Sequence, residues 1–349
     1  MVEAEPVTDK LTFKVYLNRV LSGTATGIIV GLIPNAILGA LFKSLGQSMP
    51  VFMTFFNVVN VMQFLVPALI GLLVGLQFDF KPMQLATLSA ATFLGSGAYA
   101  VVEGKVALVG IGDLINVMLL CGFSAFVINW VGDKLGSLTV IFLPIIGAAL
   151  GSVGVFTLPY ISKITVAIGA VINSFTQLQP LIMSILICVS FSLLIISPIS
   201  TVAIGIAIGI DGLGAGAAAV GVTACTAVLV WGSLKENKSG ITIAILLGAM
   251  KMMIPNLVKY PKLAIPVVLN AIVSGVGVWL LNILGTPSSA GFGIVGLVGP
   301  ISAITEGASF FTAVLAYLII PFVGGYIIHT ICQNVLHLYD QEIFAYLGS

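Results

Sequence analysis

Charge is what this sequence has least of. Only 7% of its 349 residues are Asp, Glu, Lys or Arg, against 59% hydrophobic, whereas water-soluble domains carry roughly 25% charged residues. With a net charge of +1 and no basic cluster, nucleic-acid binding is excluded, and a mean hydropathy of +1.20 excludes a soluble enzyme and a disordered chain alike. Histidine is nearly absent, with two residues, and the four cysteines form no Cys-x-x-Cys pair. Neither a metal cluster nor a disulfide framework is therefore expected. No Ser/His/Asp set and no Gly-x-x-x-x-Gly-Lys-Ser/Thr loop is present, which argues against both an enzyme and a nucleotide-driven pump, and no cofactor is expected. The segment Met1–Lys10 carries Glu3, Glu5 and Asp9 and does not read as a cleaved secretory signal.

What is abundant is long uncharged sequence. A spanning helix needs about 20 mostly apolar residues, and uncharged runs cover Ser44–Phe78, Pro82–Val102, Leu114–Gly132, Leu135–Ser162, Ile164–Ile210, Gly212–Leu234, Leu263–Thr305 and Gly307–Tyr339. The expected fold is an all-α polytopic membrane protein of about ten crossings. Residues 1–20 form an N-terminal segment whose stretch Leu11–Val20, with Lys14 and Arg19, reads as an interfacial amphipathic helix. Residues 21–178 hold five spans (21–42, 51–76, 82–101, 113–131 and 138–160) and a polar connector, 161–178. Residues 179–330 hold five more (180–197, 213–232, 241–258, 263–284 and 309–329), and 331–349 are a polar, helical tail expected on the cytoplasmic side.

Two stretches fit no span. Pro198–Gly214 and Gly285–Gly307 are apolar yet punctuated by Gly, Pro, Ser and Thr. Broken backbone at membrane depth is tolerated where it is buried in protein or lines a wet cavity, and in transporters it builds the substrate site. Both are expected to be re-entrant hairpins; a Gly-rich packing helix is the plainer reading of each. On a ten-span layout Lys10, Lys14, Arg19, Lys81, Lys134, Lys259 and Lys262 fall on the N-terminal side and Lys43, Lys105, Lys163, Lys235 and Lys238 on the other, which places both termini inside.

Ionisable groups inside spans are functional candidates because lipid penalises them. Glu306, alone between two long uncharged runs, could accept paired hydrogen bonds from a polar solute, and a buried setting would raise its pKa. Its plainer role is an acid satisfied at a helix start. Asp211 and Asp113 each sit at a span start, where N-capping is the plainer role. Lys251 is expected either to pair with Asp211 or Glu306 or to snorkel to the interface, and His329 and His337 to be solvated or interfacial. Ser288, Ser289, Ser302 and Thr305 could add hydrogen bonds to a solute. Asn57, Asn60 and Gln63 share one helix face, suited to interhelical bonds.

Five spans plus five, a polar connector, two hairpins in the C-terminal half and the motif Ile304-Thr305-Glu306 resemble the membrane component, EIIC, of the bacterial sugar phosphotransferase system. The run Gly291-Phe-Gly-Ile-Val-Gly-Leu-Val-Gly-Pro300 is similar to an EIIC-like branch that includes a membrane regulator of a clostridial toxin. The resemblance implies a homodimer built on the N-terminal spans and a sugar held by the C-terminal half near Glu306. It also implies alternating access in the bacterial cytoplasmic membrane, and phosphorylation by separate EIIA and EIIB proteins. Two features depart from it: Gly307 stands where the family motif has proline, and no histidine precedes Glu306 in the C-terminal half. Ion-coupled transport on the same fold, with Glu306 or Asp211 as proton carrier, and a membrane sensor using the same solute site are the alternatives.

Overall fold

The computed structural model describes residues 12–347; the acidic N-terminal residues and Lys10 lie outside them. The first described helix, α1 (Phe13–Gly46), is continuous, and Lys14 and Arg19 belong to its opening turns instead of to a separate amphipathic helix within the described residues. Gly23, Gly27 and Gly31, four residues apart, form a bare stripe on which the second span lies. A Cβ at Gly23 would come within 2.4 Å of the Val74 backbone. That second span is α2 (Val51–Met62), a single 3-10 turn, and α3 (Val66–Gln77) with Pro67 in its first turn.

The expected third span is cut short. Helix α4 (Pro82–Leu94) is followed by an antiparallel hairpin, β1 (Tyr99–Val102) and β2 (Lys105–Leu108). Its two-residue turn places Glu103 at φ 51° and Gly104 at φ 75°, the left-handed pair that matches strand twist. After α5 (Leu114–Val131), the expected fifth span and connector prove to be one 37-residue helix, α6 (Thr139–Phe175). At about 1.5 Å per residue it is far longer than a bilayer core is thick. Its second half carries the chain to the C-terminal bundle.

That bundle comprises α7 (Pro180–Ile195), α8 (Thr201–Ala207), α9 (Gly212–Glu236), α10 (Ser239–Leu246), α11 (Ile254–Lys259), α12 (Ala264–Leu281), α13 (Val298–Thr305), α14 (Phe310–Val314) and α15 (Ile320–Thr330). Helix α9 is its axis, with 94% of its most apolar window buried. The residues are small (Gly212-Leu-Gly-Ala-Gly-Ala-Ala-Ala), which lets α7, α12 and α15 pack close around it. Two buried clusters form the cores: one runs from Val20 to Leu150 with Ile254 added, the other from Ile172 to Phe344.

Among the described residues seven helical segments are long and apolar enough to cross a membrane, so the chain is a multi-pass membrane protein. The three other spans expected from the sequence are α4, α7 and the pair α10–α11, which bends by 120° across residues 247–249, just before a 3-10 turn at Met250–Met253. The bend changes where lysines lie. Asn256, on α11, donates to the Ile343 and Ala345 carbonyls (2.9 and 2.6 Å), and Asn237, just before α10, donates to the Phe344 carbonyl between them (2.7 Å). Both ends of the bent pair therefore meet one stretch of three residues, and Lys235 and Lys238 lie at the same end of the bundle as Lys259 and Lys262.

Nor is that stretch a polar helix. The last span ends in a π-turn at Ile331–Val335, after which the chain folds back as a strap with one 3-10 turn at Gln341–Phe344 and with Tyr339, Ile343 and Phe344 buried. Phe344 packs on Gly232, Gln341 donates to the Gly232 carbonyl, and Ser22 of α1 donates to the Leu347 carbonyl at 2.5 Å.

Candidate functional site

Helix α9 is a ruler for depth in the C-terminal half. At its start Gly212 pairs with Gly285, which ties both interrupted stretches to one end of the bundle. From there the second stretch runs inward: a Cβ on Gly293 would stand 2.9 Å from the Ala219 carbonyl and the Thr223 hydroxyl, about two to three helical turns below Gly212. Gly293, Gly296 and Leu297 have φ near 60°, a left-handed backbone that ends helical propagation. Helix α13 then carries the chain back, and the Ser302 and Thr286 hydroxyls stand 3.4 Å apart. The first stretch follows a parallel course, since Thr201 at the start of α8 donates to the Gly291 carbonyl at 2.9 Å. The innermost parts of the two stretches touch.

Glu306 caps the C-terminus of α13 by its backbone, its N–H reaching the Ser302 carbonyl at 2.9 Å. Its carboxylate is exposed, not buried as the sequence suggests. Ser302 precedes it by four residues and so shares its helix face. Thr286 links Ser302 (3.4 Å) to Ser288 (3.1 Å), making a cluster of three hydroxyls, one of them on the residue four before Glu306. Thr286 is the member that sequence reading did not single out as a site residue, although it lies in the turn-rich Thr-Pro-Ser-Ser run. Ser289 and Thr305 serve the fold instead. Buried Ser289 exchanges hydrogen bonds with the Thr286 backbone, and Thr305 donates to the Ile301 carbonyl. Asp211 is exposed at the N-cap of α9, with no side-chain cap bond, and Asp113 is the capping acid, accepting from the Ile115 and Asn116 N–H groups (3.0 and 2.9 Å).

Lys251 departs most from expectation. It neither pairs with an acid nor reaches the interface: it is buried in the bend between α10 and α11, donating to the Ser197 and Ile199 carbonyls at 2.7 Å each. The reason is that those carbonyls, between the end of α7 and the start of α8, have no helical partner. His329 is likewise buried rather than solvated, with its Nδ1 3.1 Å from the Tyr339 hydroxyl, whereas His337 is exposed. Burial holds the Tyr339 phenol well above its ordinary pKa, so it keeps its proton. Among Asn57, Asn60 and Gln63, Gln63 bonds Asn60 (2.6 Å) and accepts from Asn35 of α1 (3.3 Å), an interhelical bond as expected, while Asn57 is exposed.

Among the described residues no three His, Cys, Asp or Glu side chains converge as a metal site. A groove of about 600 Å³ between α3 and α4, lined by Leu65, Leu72, Pro82 and Phe93 with Ser89 as its polar member, is too apolar for a polar solute. Glu306, exposed, follows Ser302 by four residues at the end of the broken Gly285–Gly307 segment.

The chain matches no curated protein and no solved structure. The family model described as "Phosphotransferase system, EIIC" matches residues 18–346. With nearly the whole chain matched, this protein belongs to the EIIC family of the phosphotransferase system.

Proposed function

We propose that the C-terminal half, residues 179–330, binds a small polar solute, a sugar by family membership. In this reading the Glu306 carboxylate and the hydroxyls of Thr286, Ser288 and Ser302 hold it, and movement of that half against residues 21–178 passes it inward. The observation that carries this reading is the Glu306–Ser302–Thr286–Ser288 group at the mouth of the Gly285–Gly307 segment. An ionised carboxylate makes the stronger, charge-assisted bonds to sugar hydroxyls, and a broken segment can move without melting a full span. The Gly285–Gly307 stretch is taken as re-entrant from the Gly212–Gly285 end, and Pro198–Gly214 as the returning limb of a re-entrant pair whose entering limb is α7. The chain itself is a permease component of PTS type; phosphorylation falls to separate EIIA and EIIB proteins, and the oligomer is a homodimer through the N-terminal half.

Orientation follows from the bent pair. With Lys235 and Lys238 brought to the end that holds Lys14, Arg19, Lys81, Lys134, Lys259 and Lys262, only Lys43, Lys105 and Lys163 remain toward the other. The strap end therefore faces the cytoplasm of a bacterial cell, under the rule that basic residues stay inside.

Glu306→Gln tests the site. Purified protein is screened against a panel of radiolabelled sugars, and uptake is measured in vesicles with and without phosphorylating partners. The variant is expected to lose at least tenfold in affinity for whichever sugar the parent binds, which is about 1.4 kcal/mol. Unchanged binding and uptake would overturn the assignment. Binding without uptake would assign a sensor, and uptake driven by a pH gradient alone would assign ion coupling.

A further inference from the structure

Among the described side chains, Lys251 is the only Lys, Arg, Asp or Glu that is buried. A cation inside a membrane protein needs compensation, and here no carboxylate supplies it. Its hydrogen bonds run to main-chain carbonyls, Ser197 and Ile199, at 2.7 Å each, a short length for such contacts. Ser197 lies just past the end of α7, where terminal carbonyls carry partial negative charge.

The position of these partners gives the contact its meaning. The Met250–Met253 turn that carries Lys251 follows directly on the bend of a segment whose two ends, at Asn237 and Asn256, both rest on residues 343–345. The Ser197–Ser200 break is the innermost part of a segment that returns, through α8, to Asp211 and Gly212 at the opposite end of α9. It also touches the inner end of the Gly285–Gly307 segment through Thr201 and Gly291. Lys251 thus sits where interrupted segments from opposite ends of the bundle meet, beside Cys225 midway along α9. The turn that carries it also packs on α1 of the N-terminal half.

We propose that the Lys251 side-chain nitrogen, through its two hydrogen bonds, staples the α7–α8 break to the α10–α11 bend, so that the two opposed segments move as one unit. Lys251 is a positioning residue in this role. Two of its N–H groups replace the backbone partners that neither segment can offer the other. The staple rests on the reading of both segments as re-entrant and not on the identity of the solute.

Hydrogen exchange of the full-length protein in lipid nanodiscs tests it. Lys251→Met, which keeps the length and removes charge and donors, is expected to exchange at least tenfold faster across residues 200–207 and 249–254 together, with the strap at 339–347 unchanged. Lys251→Ala, purified with ethylammonium present, is expected to keep wild-type protection in both segments and to lose it when ethylammonium is exchanged for tetramethylammonium, which has the charge but no N–H. The second variant covers the case in which Lys251→Met does not fold. Wild-type exchange at 200–207 in Lys251→Met would overturn the staple, as would equal behaviour of Lys251→Ala in the two ammonium salts. No sugar enters the experiment, so a failure at Glu306 and a failure here are read separately.

Discussion

Asparagine does a distinctive job in this protein. Asn116 donates to the Gly95 and Gly154 carbonyls, Asn256 to Ile343 and Ala345, and Asn270 to Ala224 and Pro321, each with one carboxamide nitrogen bridging two elements. All three are at most 1% exposed, and while the acceptors of Asn116 and Asn270 lie on two different elements, those of Asn256 both lie on the strap. Interrupted helices leave carbonyls open, and in lipid no water is available to take them. Replacing Asn256 by Ala strands two such groups, and thermal unfolding is expected to register a loss of about 1–3 kcal/mol. Isolated residues of this kind were legible as candidates but not as contacts. Lys251 and His329 stood out in the sequence because lipid penalises them, yet their partners are a backbone break 52 and 54 residues away for Lys251 and a tail tyrosine for His329. No local pattern encodes either partner.

At the scale of elements, small residues decide how close helices come and where they stop. A Cβ at Gly216 would lie 1.9 Å from the Ile283 carbonyl, a clash with backbone that no rotamer relieves. Gly216→Ala is therefore expected to push α12 off α9 and to cost about 1–3 kcal/mol, read as a lower melting temperature. Gly307 makes the opposite point. Its φ of 105° turns the chain between α13 and α14, a value that proline, fixed near −65°, cannot take. Restoring the family's proline by Gly307→Pro is expected to destabilise the turn by more than about 1 kcal/mol and to displace Glu306. The long uncharged runs made α1, α2–α3, α5, α9 and α12 readable, because length and hydropathy alone define a span. The same reading overlooked β1–β2: counting Pro82–Val102 as one uncharged run concealed the Glu103-Gly104 turn flanked by Val-Val and Lys-Val. It also divided α6 at a change from apolar to polar composition that the helix, stabilised by its own backbone bonds, ignores.

At the scale of the molecule, the two cores meet along α1, and the strap lies across that seam, held by Asn237 and Asn256 on one side and Ser22 on the other. The pairing of Asn237 and Asn256 on one stretch of strap makes topology testable without any solute. The four native cysteines are buried, so an impermeant maleimide reports introduced ones. Lys238→Cys and Lys262→Cys are expected to label from the same membrane face, and Lys105→Cys from the other; labelling of Lys238→Cys and Lys262→Cys from opposite faces would restore a full crossing at 239–259. The most direct measurement of the central assignment is a structure of the protein with the sugar it binds. The account predicts sugar density against the Glu306 carboxylate and the Thr286, Ser288 and Ser302 hydroxyls, and density elsewhere, with these four side chains untouched, would contradict it.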